Sequence, residues 1–138
     1  ITARYAGALF VFLHRIFYSN FLIYGIIYRG RAKKGAMSMN KQIFTFENIT
    51  NLVTPIARKY GVKEIYLFGS YARGEATENS DLDFLVFGGD GFKLTLIFAL
   101  AEDLRMALQK DVDVFEINEI NKESTFYHTI MKERLLVA

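Results

Sequence analysis

"LFGSYARGEATENSDLDFLV", residues 67–86, joins two features that neither a turn nor a strand explains by itself. An apolar run stops at Gly69-Ser70, and a second apolar run begins around Asp81 and Asp83, which flank Leu82. A tight turn uses the glycine but not the acids, and a buried strand ordinarily uses neither. "KEIYLFG", residues 63–69, reads as a short buried strand closed by glycine. "SDLDFLVFGG", residues 80–89, reads as a second strand, with Leu82, Phe84 and Val86 alternating against Asp81, Asp83, Leu85 and Phe87. That alternation sends Asp81 and Asp83 to one face, about two residues' rise (~7 Å) apart.

The flanking sequence supplies the rest of a small fold. "ITNLVTPIARKYGV", residues 49–62, carries Ile49, Leu52, Val53, Ile56 and Tyr60 at helical spacing. Pro55 is expected to kink or restart that helix with Thr54 as a cap, and Gly61 to stop it. A second helix is expected over residues 92–110, with Leu94, Ile97, Phe98, Ala101, Leu104 and Leu108 on one face. "DVDVFEI", residues 111–117, alternates as a third strand. "KESTFYHTIMKERLL", residues 122–136, reads as a closing helix with Ile130, Met131 and Leu135 inward. Met106 and Met131 read as core filler, and His128 as an ordinary helix-surface residue. Helix, strand, strand, helix, strand, helix gives the α/β (α+β) class: a small mixed β-sheet flanked by helices.

The chain has 138 residues, enough for one core, and no cysteine, which excludes disulfides and thiolate metal sites and suits a reducing, cytoplasmic compartment. Its net charge of +2 conceals an asymmetry. Residues 1–36 hold six Lys or Arg and no acid, leaving eleven bases against fifteen acids beyond them, a net of −4. The basic, aromatic front end, residues 1–38, is expected to lie outside the natural functional unit, with a start at Met37 or Met39 and the domain proper at 39–138. An amphipathic packing or partner helix ranks second. A membrane anchor over residues 6–28 ranks third, because His14 and Arg15 fall mid-stretch, where a charge costs roughly 2.5–3.5 kcal/mol on insertion scales. The acidic body has no basic stripe, which argues against nucleic acid as a partner.

Two carboxylates on one strand face repel unless a cation lies between them, and hard oxygen ligands suit Mg²⁺ together with substrate phosphates. Asp111 and Asp113 share a face of the third strand. If that strand neighbours the Asp-x-Asp strand, Asp113 completes a three-carboxylate cluster able to hold two metal ions, activate an attacking oxygen and stabilise a leaving pyrophosphate. At the other end, Gly69 lets a phosphate approach the backbone, the Ser70 hydroxyl adds a donor, and Arg73 can fork onto phosphate oxygens. Phosphate cradle and metal carboxylates together describe a nucleoside triphosphate site.

Residues 69–83 match the Gly-Ser-x10-Asp-x-Asp signature, and the chain resembles the DNA polymerase β-like nucleotidyltransferase superfamily over residues 45–135. "LFGSYARGEATENSDLDFLV" with "DVDVFE" is similar, more narrowly, to the minimal nucleotidyltransferases, the MntA-like antitoxins. The resemblance implies the polymerase β-like fold, with Asp81 and Asp83 as metal ligands. Asp113, preferred to Asp111, would be the third acid, which binds metal or activates the acceptor hydroxyl. Gly69, Ser70 and Arg73 would hold the triphosphate. It implies transfer of AMP from ATP, with Mg²⁺ in a two-ion site, to a protein hydroxyl. The acceptor it suggests is a tyrosine of a cognate HEPN-domain ribonuclease toxin, which this protein would silence in a homo- or hetero-oligomer. Two alternatives stand beside this reading: a non-catalytic antitoxin that neutralises by binding, and a transferase acting on a small aminoglycoside-like hydroxyl. The 36-residue basic extension departs from the family pattern.

Overall fold

A computed structural model describes residues 40–138. The expectations placed on residues 1–38, including the span at 6–28, lie outside the described residues. Among the described residues no helix is long and apolar enough to cross a membrane. In chain order the elements are α1 (Phe46–Tyr60), β1 (Glu64–Phe68), α2 (Gly69–Ala72), β2 (Leu82–Phe87), α3 (Leu96–Leu108), β3 (Val112–Glu116), a 3-10 turn (Ile117–Glu119), α4 (Thr125–Glu133) and β4 (Leu135–Leu136). The four strands form one sheet in the order β3-β2-β1-β4. β1 runs antiparallel to β2 and to β4, whereas β2 and β3 are parallel, with α3 as the crossover between them. The expected mixed α/β sheet flanked by helices is the fold observed.

α1 starts where Thr45 caps it: the hydroxyl accepts from the Asn48 amide, and the Asn48 side chain accepts from the Thr45 amide. Pro55 lies inside this one continuous helix and does not restart it, and the cap is Thr45 rather than Thr54. Pro55 is on the exposed face, where the carbonyl left without its donor can turn to water. The Thr54 hydroxyl instead donates to the Thr50 carbonyl at 2.7 Å. Gly61, at φ +62°, ends the helix as expected.

The sheet is buried on both faces, but by different partners. Ile65 and Leu67 of β1, Leu82, Phe84 and Val86 of β2, and Val112 and Val114 of β3 share one face with the buried residues of α1 and α3. The opposite face carries Phe68, Leu85 and Phe115 against Ile117, Ile120, Phe126 and Ile130. There Phe68, Phe115 and Phe126 meet pairwise with ring centroids 5.5–6.0 Å apart.

Three further expectations need correction. Leu135 is not an inward helical residue. α4 ends at Glu133, and Leu135 and Leu136 form the edge strand β4, both exposed. Their pairing is set by the backbone, Tyr66 with Leu136 and Leu67 with Leu135. Met106 is half exposed at 52% rather than core filler, because it falls on the outer side of α3 opposite Leu104 and Leu108. α3 begins at Leu96, after a turn through residues 88–95, and not at Phe92.

Candidate active site

The register of the two parallel strands decides where the carboxylates go. Leu82 pairs with Val112 and Asp83 with Asp113, so the apolar pair enters the core and the acidic pair lies side by side on the other face. β1 continues this face, since Phe68 pairs with Asp83. Asp81 lies one residue before β2 and, by alternation past the buried Leu82, on the side of Asp83. The Leu82 amide donates to the Asp111 carbonyl at 3.0 Å, so Asp111 enters the ladder through its backbone. Asp81, Asp83 and Asp113 are all half-buried, and Phe68 of the phenylalanine cluster lies level with Asp83.

Gly69 closes β1 and opens α2 with φ +73°. A Cβ placed on it would sit 2.3 Å from Oδ2 of Asp83 and 3.2 Å from its Cγ. Glycine is therefore required twice, by the left-handed backbone and by the carboxylate packed against its α-carbon. Ser70 and Tyr71 follow in α2, and Arg73 caps its end. The Ser70 carbonyl accepts from the Glu75 amide at 2.9 Å, which folds the chain back after the turn. The two halves of the expected site are thus in contact through Gly69 and Asp83.

Donor chemistry at this end of the sheet is all carboxylate oxygen, the type a hard divalent cation takes. Among the described residues, however, no three Asp, Glu, His or Cys side chains are gathered into a group that could hold a metal ion. The backbone register sets Asp83 level with Asp113.

Two residues near the site carried no signal in the sequence reading. Lys110, only 2% exposed, donates from Nζ to the Glu78 carbonyl at 2.8 Å. Burial pushes its pKa down, while the negative charges of Glu78 and Asp81 oppose that shift. The lysine ties the loop before Asp81 to the start of β3. The same loop is closed by the Thr77 amide on the Ser80 hydroxyl at 2.8 Å and the Ser80 amide on the Thr77 carbonyl at 3.0 Å. The second is Glu133, at the end of α4. Its Oε1 accepts from the Gly69 amide at 2.9 Å, and its Oε2 lies 3.0 Å from Nη1 of Arg73. Arg73 also pairs through Nε with Glu75 at 2.9 Å, and the two carboxylates, Glu75 first, raise its pKa. Neither residue was findable before the strand register was known. A Lys before a strand and a Glu ending a helix are ordinary surface residues by type.

Residues 51–138 match the family described as polymerase beta, nucleotidyltransferase. The chain is 41% identical over 88 residues to a Methanocaldococcus jannaschii protein provisionally named a protein adenylyltransferase, covering 64% of this chain and 87% of that one. It is 33% identical over 99 residues to the protein adenylyltransferase MntA of Thermococcus cleftensis, covering 69% and 98%. Among solved structures, one provisionally described as a minimal nucleotidyltransferase superposes with a TM-score of 0.57 at 27% identity, over 67% of this chain and 95% of that one. A chain of a toxin–antitoxin crystal structure with AMP-PNP superposes with a TM-score of 0.56 at 26% identity, over 64% and 72%.

Proposed function

The chain belongs to the polymerase beta nucleotidyltransferase family, and we propose that it transfers AMP from ATP to a hydroxyl of a partner toxin and so acts as an antitoxin. The observation that carries this reading is the contact of Asp83 with Gly69 while Asp83 also lies level with Asp113. A phosphate chain held at Gly69, Ser70 and Arg73 would reach the carboxylates with its α-phosphorus. Protein adenylyltransferases among its relatives, and a structural neighbour that is a toxin–antitoxin pair bound to an ATP analogue, support ATP as donor and a protein as acceptor.

Asp81, Asp83 and Asp113 would hold Mg²⁺, which when bound offsets the charge of the triphosphate and of the leaving pyrophosphate. The Gly69 amide and the Ser70 hydroxyl would donate to the phosphate chain, and Arg73 would offer a fixed positive charge to its oxygens. The acceptor oxygen forms a bond to the α-phosphorus, the bond from that phosphorus to the oxygen bridging to the β-phosphorus breaks, and the hydroxyl proton passes to a base. Asp113, level with Asp83, would take that proton or share the metal. The acceptor is a tyrosine of a HEPN-domain toxin.

The test is Mg²⁺-dependent release of pyrophosphate from ATP in the presence of the toxin expressed alongside this chain. Asp81→Ala and Asp83→Ala should each abolish it, and undiminished release in either variant overturns the reading. A double variant that still neutralises the toxin would instead favour binding without transfer.

A further inference from the structure

We infer that Glu133 is an internal competitor for the triphosphate, a carboxylate of the chain's own seated on the donors the nucleotide must use. The inference rests on the nucleotide site proposed above and adds a residue to it.

Glu133 is the last residue of α4, two residues before Leu135, which pairs with Leu67 of β1, and Gly69 lies two residues beyond Leu67. The edge strand is held beyond that pair by the Val137 amide on the Ile65 carbonyl and the Ile65 amide on the Ala138 carbonyl, both at 2.8 Å. Glu133 is thus held between α4 and the paired edge strand, and its side chain is only 16% exposed. From there one carboxylate takes both the Gly69 amide, at 2.9 Å, and the Arg73 guanidinium, at 3.0 and 3.3 Å.

A carboxylate and a phosphate compete for the same donors, since both are anions that can present two acceptor oxygens to an arginine. While Glu133 holds Arg73, the guanidinium already points toward Gly69, so the contact pre-aligns it as well as blocking it. An incoming triphosphate displaces the carboxylate and takes over an aligned arginine. The displaced Glu133 is left beside an anion, an unfavourable arrangement that weakens retention of nucleotide and eases release of pyrophosphate.

The test uses the full chain, with ATP and inorganic tripolyphosphate as probes, measured by calorimetry. Glu133→Gln keeps an oxygen acceptor for the Gly69 amide and removes the charge. It should bind both probes about tenfold more tightly, the effect of losing one charge-assisted contact. Adding Arg73→Ala should cancel most of that gain. Unchanged or weaker binding by a folded Glu133→Gln protein overturns the inference while leaving the nucleotide site standing. Failure of wild type and variant alike to bind ATP removes the site and the inference together. Should Glu133→Gln not fold, a tripolyphosphate titration of the wild-type protein decides. The Gly69 amide and the Glu133 carboxyl carbon resonances must shift with one saturation curve, and a Glu133 carbon that stays fixed contradicts displacement.

Discussion

The carboxylate of Asp83 rests against the α-carbon of Gly69, so close that a methyl group there would stand 2.3 Å from Oδ2. Gly69→Ala should therefore fail on two counts. The left-handed backbone at φ +73° costs about 1–2 kcal/mol for an L-residue, and the clash pushes Asp83 out of line with Asp113. Thermal denaturation should show a loss of about 2 kcal/mol or more, and pyrophosphate release should fall well beyond what that loss explains. Gly74→Ala is the control. Its φ is +71° but nothing lies within 4 Å of the added carbon, so it should cost stability alone.

The strand register separates two aspartates that look alike in the sequence. Asp113→Asn should lower transfer by about a hundredfold or more, because it sits level with Asp83. Asp111→Asn should change the rate less than about threefold, since the role Asp111 plays in the sheet is carried by its carbonyl. Steady-state rates of the two variants, with thermal denaturation as a folding check, measure the difference.

Lys110 should matter to the loop more than to the fold. Lys110→Met leaves the Glu78 carbonyl without its donor, a loss of about 1 kcal/mol, but also removes a buried charge that is costly to keep. The terms oppose, so stability near neutral pH should move little. The amides of Thr77–Ser80 should nonetheless exchange faster, as seen by hydrogen exchange. The pH dependence has a definite sign. Burial lowers the lysine's folded pKa below its ordinary 10.5, so the unfolded chain holds the extra proton between those values. Stability of the wild type relative to Lys110→Met should rise as pH climbs through that window, and a flat difference would contradict the buried placement.

Asp103 of α3 ties that helix to α1, accepting from Lys59 at 2.6 Å and from the Tyr60 hydroxyl at 2.8 Å. Those hydrogen bonds, the lysine's first, hold its pKa below the ordinary 3.8. Its contribution is complete above 3.8 and is lost as pH falls through the lower folded value. Asp103→Asn should thus be the less stable protein at neutral pH, with the gap closing in acid and shrinking in high salt. Urea denaturation across pH 2–7 checks this.

Much of this was legible from residue order. Alternation at Leu82, Phe84 and Val86 gave the face of Asp83, and the paired strands with their flanking helices followed from periodicity. What stayed hidden depends on long-range pairing. β4 is two exposed leucines whose pattern continues a helix, and only the β1 backbone makes them a strand. Glu133 meets the Gly69 amide across 64 residues, and Lys110 meets the Glu78 carbonyl across 32. Pro55 misled because the cost of a helical proline depends on which face it occupies, and here that face is open to water. Met106 misled because its residue type outweighed its spacing, which puts it on the helix side opposite the buried Leu104 and Leu108.

The most direct measurement is the intact mass of the cognate toxin after incubation with ATP, Mg²⁺ and this chain, run in parallel with Asp83→Ala. The account predicts a toxin heavier by whole AMP units, carried on tyrosine, with the wild-type protein and an unmodified toxin with the variant. A toxin of unchanged mass that is nevertheless silenced by the wild-type protein would contradict it.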